Sequence, residues 1–308
     1  QSEVESSIPE VFERRTQGLG QRIAIQTQER SYTYASLKTA ANRIAHALLD
    51  QLGDGSDPIA ILLNDTSEAV AAIFGILKAG KIYLPLDVSL ALPRLRYLIE
   101  DSRARLLLTD TRTLALARTL VANTALPMLN LDSLPNRPLP GEFPTTITPD
   151  RLAALLYTSG STAQPKGVMH SHRTLLHLTM RYTNLHRITQ HDRIALLRTL
   201  TMIGGSTHTL GALLNGASLY PLNLKQHGIL NLLDWLRTNQ ISMCSFGPTL
   251  IRAIAGNATD TEPLPALREV TLSGEPVYQT DIEICRRLFS PACVLVNSLG
   301  ATEAPFAA

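Results

Sequence analysis

The chain has 308 residues, of which 44% are hydrophobic and only 18% charged, so it can bury one large core or two modest ones. This composition excludes disorder as the main state of the chain. The 28 basic residues nearly balance the 26 acidic ones, and a net charge of +2 offers no broad basic face to nucleic acid or to an anionic membrane. Any anion-binding site must therefore be local.

The cysteines and the lengths of the apolar stretches predict the cellular compartment of the protein. The three cysteines, Cys244, Cys285 and Cys293, are odd in number and form no CxxC pair, which argues against a disulfide framework or a zinc site. The longest apolar stretches, such as residues 69–77, are about half of the ~20 residues that cross a bilayer, and the polar N-terminus lacks the order of a signal peptide. We expect a cytoplasmic protein without membrane or nucleic-acid partners.

Strand and helix periods alternate from the start of the chain. Residues 23–25 predict a short strand, and apolar residues at helical spacing over 37–48 predict a helix that ends at Gly53. Residues 59–63 form a continuous apolar strand, after which Asp65 is placed to cap a helix that ends before Gly80. Apolar strands alternating with amphipathic helices are typical of a mainly parallel sheet covered on both faces.

The same alternation continues on both sides of a proline-rich connector. A helix is predicted around residues 95–99 and a strand at 106–108, and five prolines then fall within residues 135–149, where neither a helix nor a central strand can persist. We therefore predict an α/β protein with two lobes, residues 1–134 and 150–308. The elements predicted in the second lobe are strands at 152–157, 241–246, 270–272 and 293–296 and a helix at 229–236.

The strongest chemical signal is the segment 157–167, Tyr-Thr-Ser-Gly-Ser-Thr-Ala-Gln-Pro-Lys-Gly, in which an apolar strand leads into small and hydroxyl residues closed by Lys166. Small residues let backbone N–H groups converge on an anion, hydroxyls add donors, and the lysine adds a positive charge. Pro165 and Gly167 flank the lysine where a Walker loop would have Gly and Ser or Thr, which disfavours that class. The alternative is an ordinary Ser/Thr-rich surface turn.

This loop resembles the phosphate-binding signature of the adenylate-forming (AMP-binding) superfamily, which includes acyl-CoA ligases, luciferases and the adenylation domains of nonribosomal peptide synthetases. Further motifs of the adenylation domains are matched in the same order, which makes a chance resemblance untenable. They lie at residues 32–37, 77–87, 93–102, 211–217 and 297–303. The resemblance implies the two-lobed α/β fold of the N-terminal core of these enzymes.

The implied reaction is the activation of a carboxylic acid by ATP and Mg²⁺, in which a carboxylate oxygen attacks the α-phosphorus, pyrophosphate leaves and an acyl-adenylate remains. By resemblance Glu303 helps to hold magnesium, although it could instead be a carboxylate stabilised by the start of a helix. The residues implied in nucleotide binding are Thr158, Ser159, Gly160, Ser161, Thr162, Lys166, Gly274, Glu275, Asn297, Ser298, Leu299, Gly300 and Thr302.

One departure from the family concerns the substrate. In amino-acid-activating members an Asp ahead of the 211–217 motif pairs with the substrate α-ammonium, and counting back from Gly211 places Ile203 there. Isoleucine cannot neutralise an ammonium ion, and no Asp or Glu occurs from Arg193 to Leu233. The resemblance therefore predicts a keto, hydroxy, aryl or fatty acid without a free α-ammonium. The alternative is an α-amino acid held by an acidic residue from elsewhere in the chain.

The other positions that align with the family's acyl pocket are mostly small, and their hydroxyls favour a bulky or oxygenated acid. His172 corresponds to a histidine that shapes this pocket in the family. The complete set of predicted substrate-binding residues is His172, Ile203, Gly204, Thr207, Ser245, Thr271, Ser273, Ser298, Phe306 and Ala307.

The resemblance covers only the N-terminal core of the family, because the sequence stops at Ala308, before the C-terminal domain and its catalytic lysine. We therefore expect little turnover from this chain alone and assign no catalytic residue beyond the phosphate loop. The favoured function is loading of an acid onto the phosphopantetheine thiol of a carrier protein. The alternatives are a free-standing acyl-CoA ligase and a catalytically silent binding module, for which Ala163 and Leu299, where the family commonly has glycine and an aromatic residue, are evidence.

Overall fold

The computed structural model describes residues 2–135, 146–158, 164–257 and 264–300. Most of the proline-rich connector predicted at 135–149 lies outside these ranges. The strands are β1 (Ile23–Gln26), β2 (Ser31–Thr33), β3 (Pro58–Leu62), β4 (Ile82–Pro85), β5 (Leu106–Thr109), β6 (Met128–Asn130), β7 (Leu152–Thr158), β8 (Lys166–Ser171), β9 (Arg193–Leu196), β10 (Ser218–Pro221), β11 (Met243–Phe246), β12 (Glu269–Ser273) and β13 (Val294–Ser298).

The helices separate most of these strands, as the alternating periodicity predicts. Two short 3₁₀ helices, Ser2–Glu5 and Leu131–Ser133, are also present. The α-helices are α1 (Ile8–Arg15), α2 (Tyr34–Leu52), α3 (Thr66–Lys78), α4 (Leu92–Asp101), α5 (Leu114–Val121), α6 (His172–His186), α7 (Ile203–Leu213), α8 (Leu224–His227), α9 (Leu232–Thr238), α10 (Pro248–Asn257) and α11 (Gln279–Leu288).

Local sequence signals account for where several helices begin and end. The Asp65 carboxylate accepts hydrogen bonds from the backbone N–H groups of Ser67 and Glu68, so it caps α3 as predicted. Helix α2 ends at Gly53, whose φ of 63° is in the left-handed region that favours glycine. The predicted helix boundaries around these residues are therefore confirmed.

The strands form two mainly parallel sheets, which confirms the predicted fold class. One sheet has the order β13-β12-β11-β9-β10-β1-β2 and the other has the order β6-β5-β3-β4-β7-β8. Within the ranges that the structure describes, the antiparallel pairs are β1 with β2 and β7 with β8, each at the edge of its sheet. Helices cover the parallel strands, whose residues are mostly buried except in the edge strand β13.

The predicted lobes, residues 1–134 and 150–308, do not coincide with the two sheets. Strands β1 and β2 come early in the chain but join the sheet of β9–β13, where Ile25 pairs with Leu219. Strands β7 and β8 follow the connector but join the sheet of β3–β6. Local composition predicts where the connector lies but not which strands join which sheet, because strand pairing depends on residues far apart in the chain.

The two sheets are joined by a common core and by polar contacts. One hydrophobic cluster spans both sheets and includes Ile59 and Tyr83 from one sheet and Ile194 and Leu219 from the other. The Tyr83 hydroxyl also donates to Ser206 Oγ on α7 at 3.0 Å. In the described part of the chain, no helix is both long and apolar enough to span a membrane.

The topology brings four strand ends to one edge of the larger sheet. Strands β9, β11, β12 and β13 are neighbours and run parallel, so the residues that follow their carboxyl ends lie close together. In open α/β sheets this edge is where ligands commonly bind. Most of the predicted substrate and nucleotide residues fall in these strand ends or in the segments that follow them.

Candidate active site

The two ends of the predicted phosphate loop are held next to each other. Thr158 is the last residue of β7 and Lys166 the first of β8, and they are paired across the antiparallel ladder. Helix α4 anchors both ends, because Tyr157 donates its hydroxyl to Asp101 at 2.6 Å and Tyr97 donates to the carbonyl of Pro165 at 3.3 Å. Lys166, at the start of β8, is exposed.

Several predicted residues of the site lie outside the described ranges. They include most of the phosphate loop, the magnesium ligand inferred from the family and the last two positions of the acyl pocket. These residues are Ser159, Gly160, Ser161, Thr162, Thr302, Glu303, Phe306 and Ala307. Among the described residues, no group of three or more His, Cys, Asp or Glu side chains is placed to hold a metal ion.

The predicted nucleotide residues that follow β12 and β13 lie side by side. Ser273 and Ser298 are paired in the ladder at the ends of these strands, and the turn after Ser273 continues through Gly274, whose φ is 91°. A Cβ there would be strained, so glycine is needed for this turn. Asn297, just before the end of β13, is exposed, and Leu299 after it is 71% exposed, so its apolar surface is available for contact.

Glu275 has a structural partner. Its carboxylate accepts hydrogen bonds from the backbone N–H of Thr249, at 3.2 Å, and from the Thr249 hydroxyl, at 2.5 Å. Thr249 is the second residue of α10, whose first N–H groups have no partner within the helix. Glu275 therefore caps α10 and ties that helix to the turn after β12.

A pocket of about 230 Å³ lies at the carboxyl edge of the larger sheet. It gathers six of the predicted substrate-binding residues, although they come from three strands and one helix that are distant in sequence. These six residues are Ile203, Gly204, Ser245, Thr271, Ser273 and Ser298. Gly274 and Gly300, predicted on the nucleotide side, line the same pocket. The arrangement connects the predicted acyl and nucleotide sites.

Two of the predicted substrate-binding residues lie elsewhere. Thr207 is one turn further along α7 than Ile203, and its buried hydroxyl donates to the Ile203 carbonyl at 2.9 Å. His172 is fully buried, and its Nδ1 accepts the backbone N–H of Ile8 at 3.2 Å. Burial and the nearby charge of Arg151 lower the pKa of His172 to about 4, so its ring is neutral. Neither residue lines the pocket as predicted, because their side chains are used in internal packing.

The sequence analysis missed Arg198, which lies two residues after β9 and lines the pocket. Its Nη2 donates to Ser273 Oγ at 2.5 Å, to the Ser273 carbonyl at 3.3 Å and to Ser245 Oγ at 3.4 Å. Burial lowers its pKa from the usual value, but arginine remains a cation at neutral pH. The available signal was a charged residue just after a buried strand, at the edge where ligands bind.

A cluster of aromatic and imidazole rings forms another wall of the pocket. Tyr182 stacks on His208, with 5.1 Å between the ring centroids, and also contacts His186. The His186 Nδ1 is hydrogen-bonded to the buried carboxylate of Glu269. Burial, followed by the charge of Arg198, lowers the pKa of His208 to about 3, so this ring is neutral. These three rings were not predicted from the sequence, because they come from α6 and α7 at positions outside the family motifs.

A family model described as AMP-binding enzyme matches residues 12–308. The chain is a member of the AMP-binding enzyme family. Surfactin synthase subunit 2 of Bacillus subtilis (strain 168) is 28% identical over 308 residues, which cover 99% of this chain and 8% of that protein. Tyrocidine synthase 1 of Brevibacillus parabrevis is 29% identical over 246 residues, 80% of this chain and 22% of that protein. The chain thus spans less than a quarter of either relative.

Solved structures confirm the fold. A form of the nonribosomal peptide synthetase FmoA3 bound to α-methyl-L-serine-AMP matches with a TM-score of 0.87 at 24% identity, over 98% of this chain and 34% of that one. The anthranilate CoA ligase AuaEII in complex with anthranoyl-AMP matches with a TM-score of 0.86 at 21% identity, over 97% of this chain and 60% of that one. Both the synthetase and the ligase therefore share this architecture.

Proposed function

We propose that the protein activates a carboxylic acid with ATP, releasing pyrophosphate and forming an acyl-adenylate that is then loaded onto the phosphopantetheine thiol of a carrier protein. The observation that carries this proposal is the single pocket formed by six residues predicted to bind the acid, with Gly274 and Gly300 of the predicted nucleotide side in its wall. The relatives above are named as a surfactin synthase subunit and a tyrocidine synthase, and the chain covers only 8% and 22% of them, which supports a carrier protein as the acceptor.

The reaction needs positioning and neutralisation of charge more than covalent chemistry by the protein. A carboxylate oxygen attacks the α-phosphorus, and the bond from that phosphorus to the oxygen of pyrophosphate breaks. We propose that Thr158 and Lys166, at the two ends of the phosphate loop, bind the phosphates, and that Lys166 neutralises the leaving pyrophosphate. Bound Mg²⁺ would supply further positive charge at the phosphates, with Glu303 as its protein ligand.

The turn after β12 and the end of β13 are the proposed binding surface for the nucleoside. Gly274 lets the backbone approach a ligand without a side chain, and Leu299 offers exposed apolar surface to the base. The hydrogen bonds from Thr249 hold Glu275 against α10, so we propose that Glu275 shapes this surface by fixing the turn.

The charges around the pocket support an acid without a free α-ammonium. Ile203 is 8% exposed and lines the pocket at the start of α7, and the described lining contains no Asp or Glu side chain. The buried carboxylate of Glu269 is engaged by His186 and also lies 3.7 Å from Arg268. The α-ammonium group of a substrate in this pocket would therefore face the guanidinium of Arg198, and no carboxylate of the described lining would pair with it.

Acid-dependent exchange of labelled pyrophosphate into ATP tests the proposal, using the protein at its natural length and a panel of amino, hydroxy, keto, aryl and fatty acids. Exchange with a class other than the α-amino acids is expected. Exchange only with an α-amino acid would overturn the assignment of substrate class, and exchange with no acid would favour a silent binding module.

A second assay separates the two acceptors. The acyl-adenylate is offered a phosphopantetheinylated carrier protein in one reaction and coenzyme A in another, and thioester formation is followed by mass spectrometry. Transfer to the carrier protein is expected to be faster. Transfer to coenzyme A alone would make the protein a free-standing acyl-CoA ligase, the function of the structural neighbour AuaEII.

A further inference from the structure

A half-buried cation, Arg198, stands in the wall of the acyl pocket. Arg198 makes no ion pair with any side chain in the described ranges, and its hydrogen bonds go to two serine hydroxyls and one carbonyl. The side chain passes over the start of α7, where a Cβ built on Gly204 would lie 3.2 Å from Arg198 Cδ. Gly204 therefore leaves room for the arginine to reach the pocket.

Most of the donor capacity of this guanidinium is unused. An arginine presents five N–H donors in a planar fork, but all three hydrogen bonds of Arg198 come from Nη2. No residue in the described part of the chain accepts from Nη1 or Nε. A planar edge with free donors is suited to a carboxylate, which binds arginine through two parallel hydrogen bonds.

The two buried carboxylates at the amino ends of this sheet are already bound by other residues. Glu269 is committed to His186, and Asp192 is committed to Arg268 by hydrogen bonds of 2.8 and 3.1 Å. A partly desolvated cation without a counter-ion is costly, and the cost is removed when a ligand brings the opposite charge. The pocket is also short of carboxylates of its own, so a ligand carboxylate would meet no like charge in the described lining.

We propose that the acid activated here is a dicarboxylic acid, whose second carboxylate is bound by Arg198. This inference rests on the proposed function, since it concerns the same acyl pocket. The pocket of about 230 Å³ is below the usual range of about 300–1,000 Å³ for ligand sites, which favours a compact acid over the bulky one expected from the sequence. The hydroxyls of Ser245 and Ser273 hold the guanidinium in place. One carboxylate receives the adenylate, and the other remains ionised and pairs with Arg198.

Matched pairs of acids test the proposal. Pyrophosphate exchange is measured with succinate and glutarate and with the monoamide of each, which has nearly the same shape but lacks the second charge. The unaltered protein is expected to favour each diacid over its monoamide by at least tenfold in kcat/KM. The variant Arg198→Met is expected to lose this preference through a higher KM for the diacid, with the KM for ATP unchanged, and Arg198→Lys should retain part of it.

Four outcomes would overturn the proposal. Equal losses with diacid and monoamide in Arg198→Met would make the arginine structural, and a higher KM for ATP would assign it to the nucleotide phosphates. Pyrophosphate exchange with monocarboxylic acids only would contradict the assignment of a dicarboxylic acid and would still support the proposed function. If no acid supports exchange, calorimetric titration with succinate and glutarate still decides: binding to the unaltered protein that Arg198→Met loses supports the assignment, and no binding contradicts it.

Discussion

Two half-buried arginines of the larger sheet are used in opposite ways. Arg268 lies just before β12, at the amino ends of the strands, where its Nε and Nη2 donate to both carboxylate oxygens of Asp192 and its Nη2 also donates to the His186 carbonyl. Arg198 lies just after β9, at the carboxyl ends, and donates only to hydroxyl and carbonyl oxygens of Ser245 and Ser273.

The difference shows how one sheet separates stability from function. At the amino ends, Asp192 precedes β9 and also accepts from Ser242, so the ion pair ties three neighbouring strands together. At the carboxyl ends lie the pocket and Arg198, whose charge is not neutralised by the described residues. The residue type is the same, and the partner decides whether an arginine stabilises the fold or is available for a ligand.

Removing the paired arginine should have the largest effect on stability. Arg268→Met leaves the buried carboxylate of Asp192 without its cation, and breaking a buried pair costs about 3–5 kcal/mol. Because the Arg268 side chain is 38% exposed, the expected decrease in the free energy of unfolding is about 2 kcal/mol. Urea unfolding measures it.

The matched control for that prediction is Arg198→Met, which breaks no ion pair among the described residues. Its free energy of unfolding is expected to stay within about 0.5 kcal/mol of the unaltered protein. An equal loss of stability in both variants would show that Arg198 stabilises the fold as much as Arg268 does.

A carboxylate introduced beside Arg198 should abolish much of the preference of the pocket for dicarboxylic acids. Ile203→Asp places a carboxylate in the pocket that holds Arg198, where it competes with the substrate for the guanidinium. We expect exchange with succinate or glutarate to fall about tenfold, equivalent to about 1.4 kcal/mol, and exchange with α-amino acids to rise. The variant Ile203→Asn has the same size without the charge, and an equal loss in it would refute the electrostatic explanation.

The ion pair at the amino ends should also give a specific dependence on pH. Burial opposes ionisation of Asp192, but hydrogen bonds from Arg268, Thr189 and Ser242 outweigh it and hold the pKa of Asp192 below its usual value. A depressed carboxyl pKa contributes stability above the unfolded pKa, and this contribution is lost as the pH falls through the folded value.

Unfolding experiments between pH 6 and the acid limit measure this effect. The unaltered protein is expected to lose stability below about pH 4, the ordinary range of aspartate, and Arg268→Met is expected to lose less over the same interval. Parallel curves for the two proteins would show that Asp192 does not depend on Arg268.

The smallest effect is expected at Glu275, a charged group of the carboxyl edge that does have a structural partner. Glu275→Ala removes the acceptor of the Thr249 N–H at the start of α10 and should lower the free energy of unfolding by about 1 kcal/mol. Glu275→Gln keeps one acceptor oxygen and should lose less. Equal stability of the two variants in thermal unfolding would show that Glu275 does not cap α10.

Local patterns in the sequence predicted the elements whose signal is short-range. The apolar run 59–63 became β3, and Asp65 caps α3, because each depends on residues within a few positions. The predicted helix at 229–236 begins later, at Leu232, after the separate short helix α8. The place of β1 beside β10 was not predictable, because it depends on pairing between residues nearly two hundred positions apart.

The predictions of site residues came from the family motifs. Ser245, Thr271 and Ser273 meet in one pocket because their strands are neighbours, which the resemblance implied. His172 lies outside the lining of this pocket, because resemblance of position does not fix what a side chain packs against, and here its ring accepts a hydrogen bond from Ile8. Arg198 was missed because a charge is informative only when its partners are known, and partners are a property of the folded chain.

The most direct measurement is a competition in one reaction vessel. The protein at its natural length is given ATP, Mg²⁺ and an equimolar mixture of α-amino acids, monocarboxylic acids and short dicarboxylic acids, and the acyl-adenylates formed are identified by mass spectrometry. The account predicts the adenylate of a dicarboxylic acid as the main product. An α-aminoacyl-adenylate as the main product would contradict both the meaning of Ile203 and the role of Arg198.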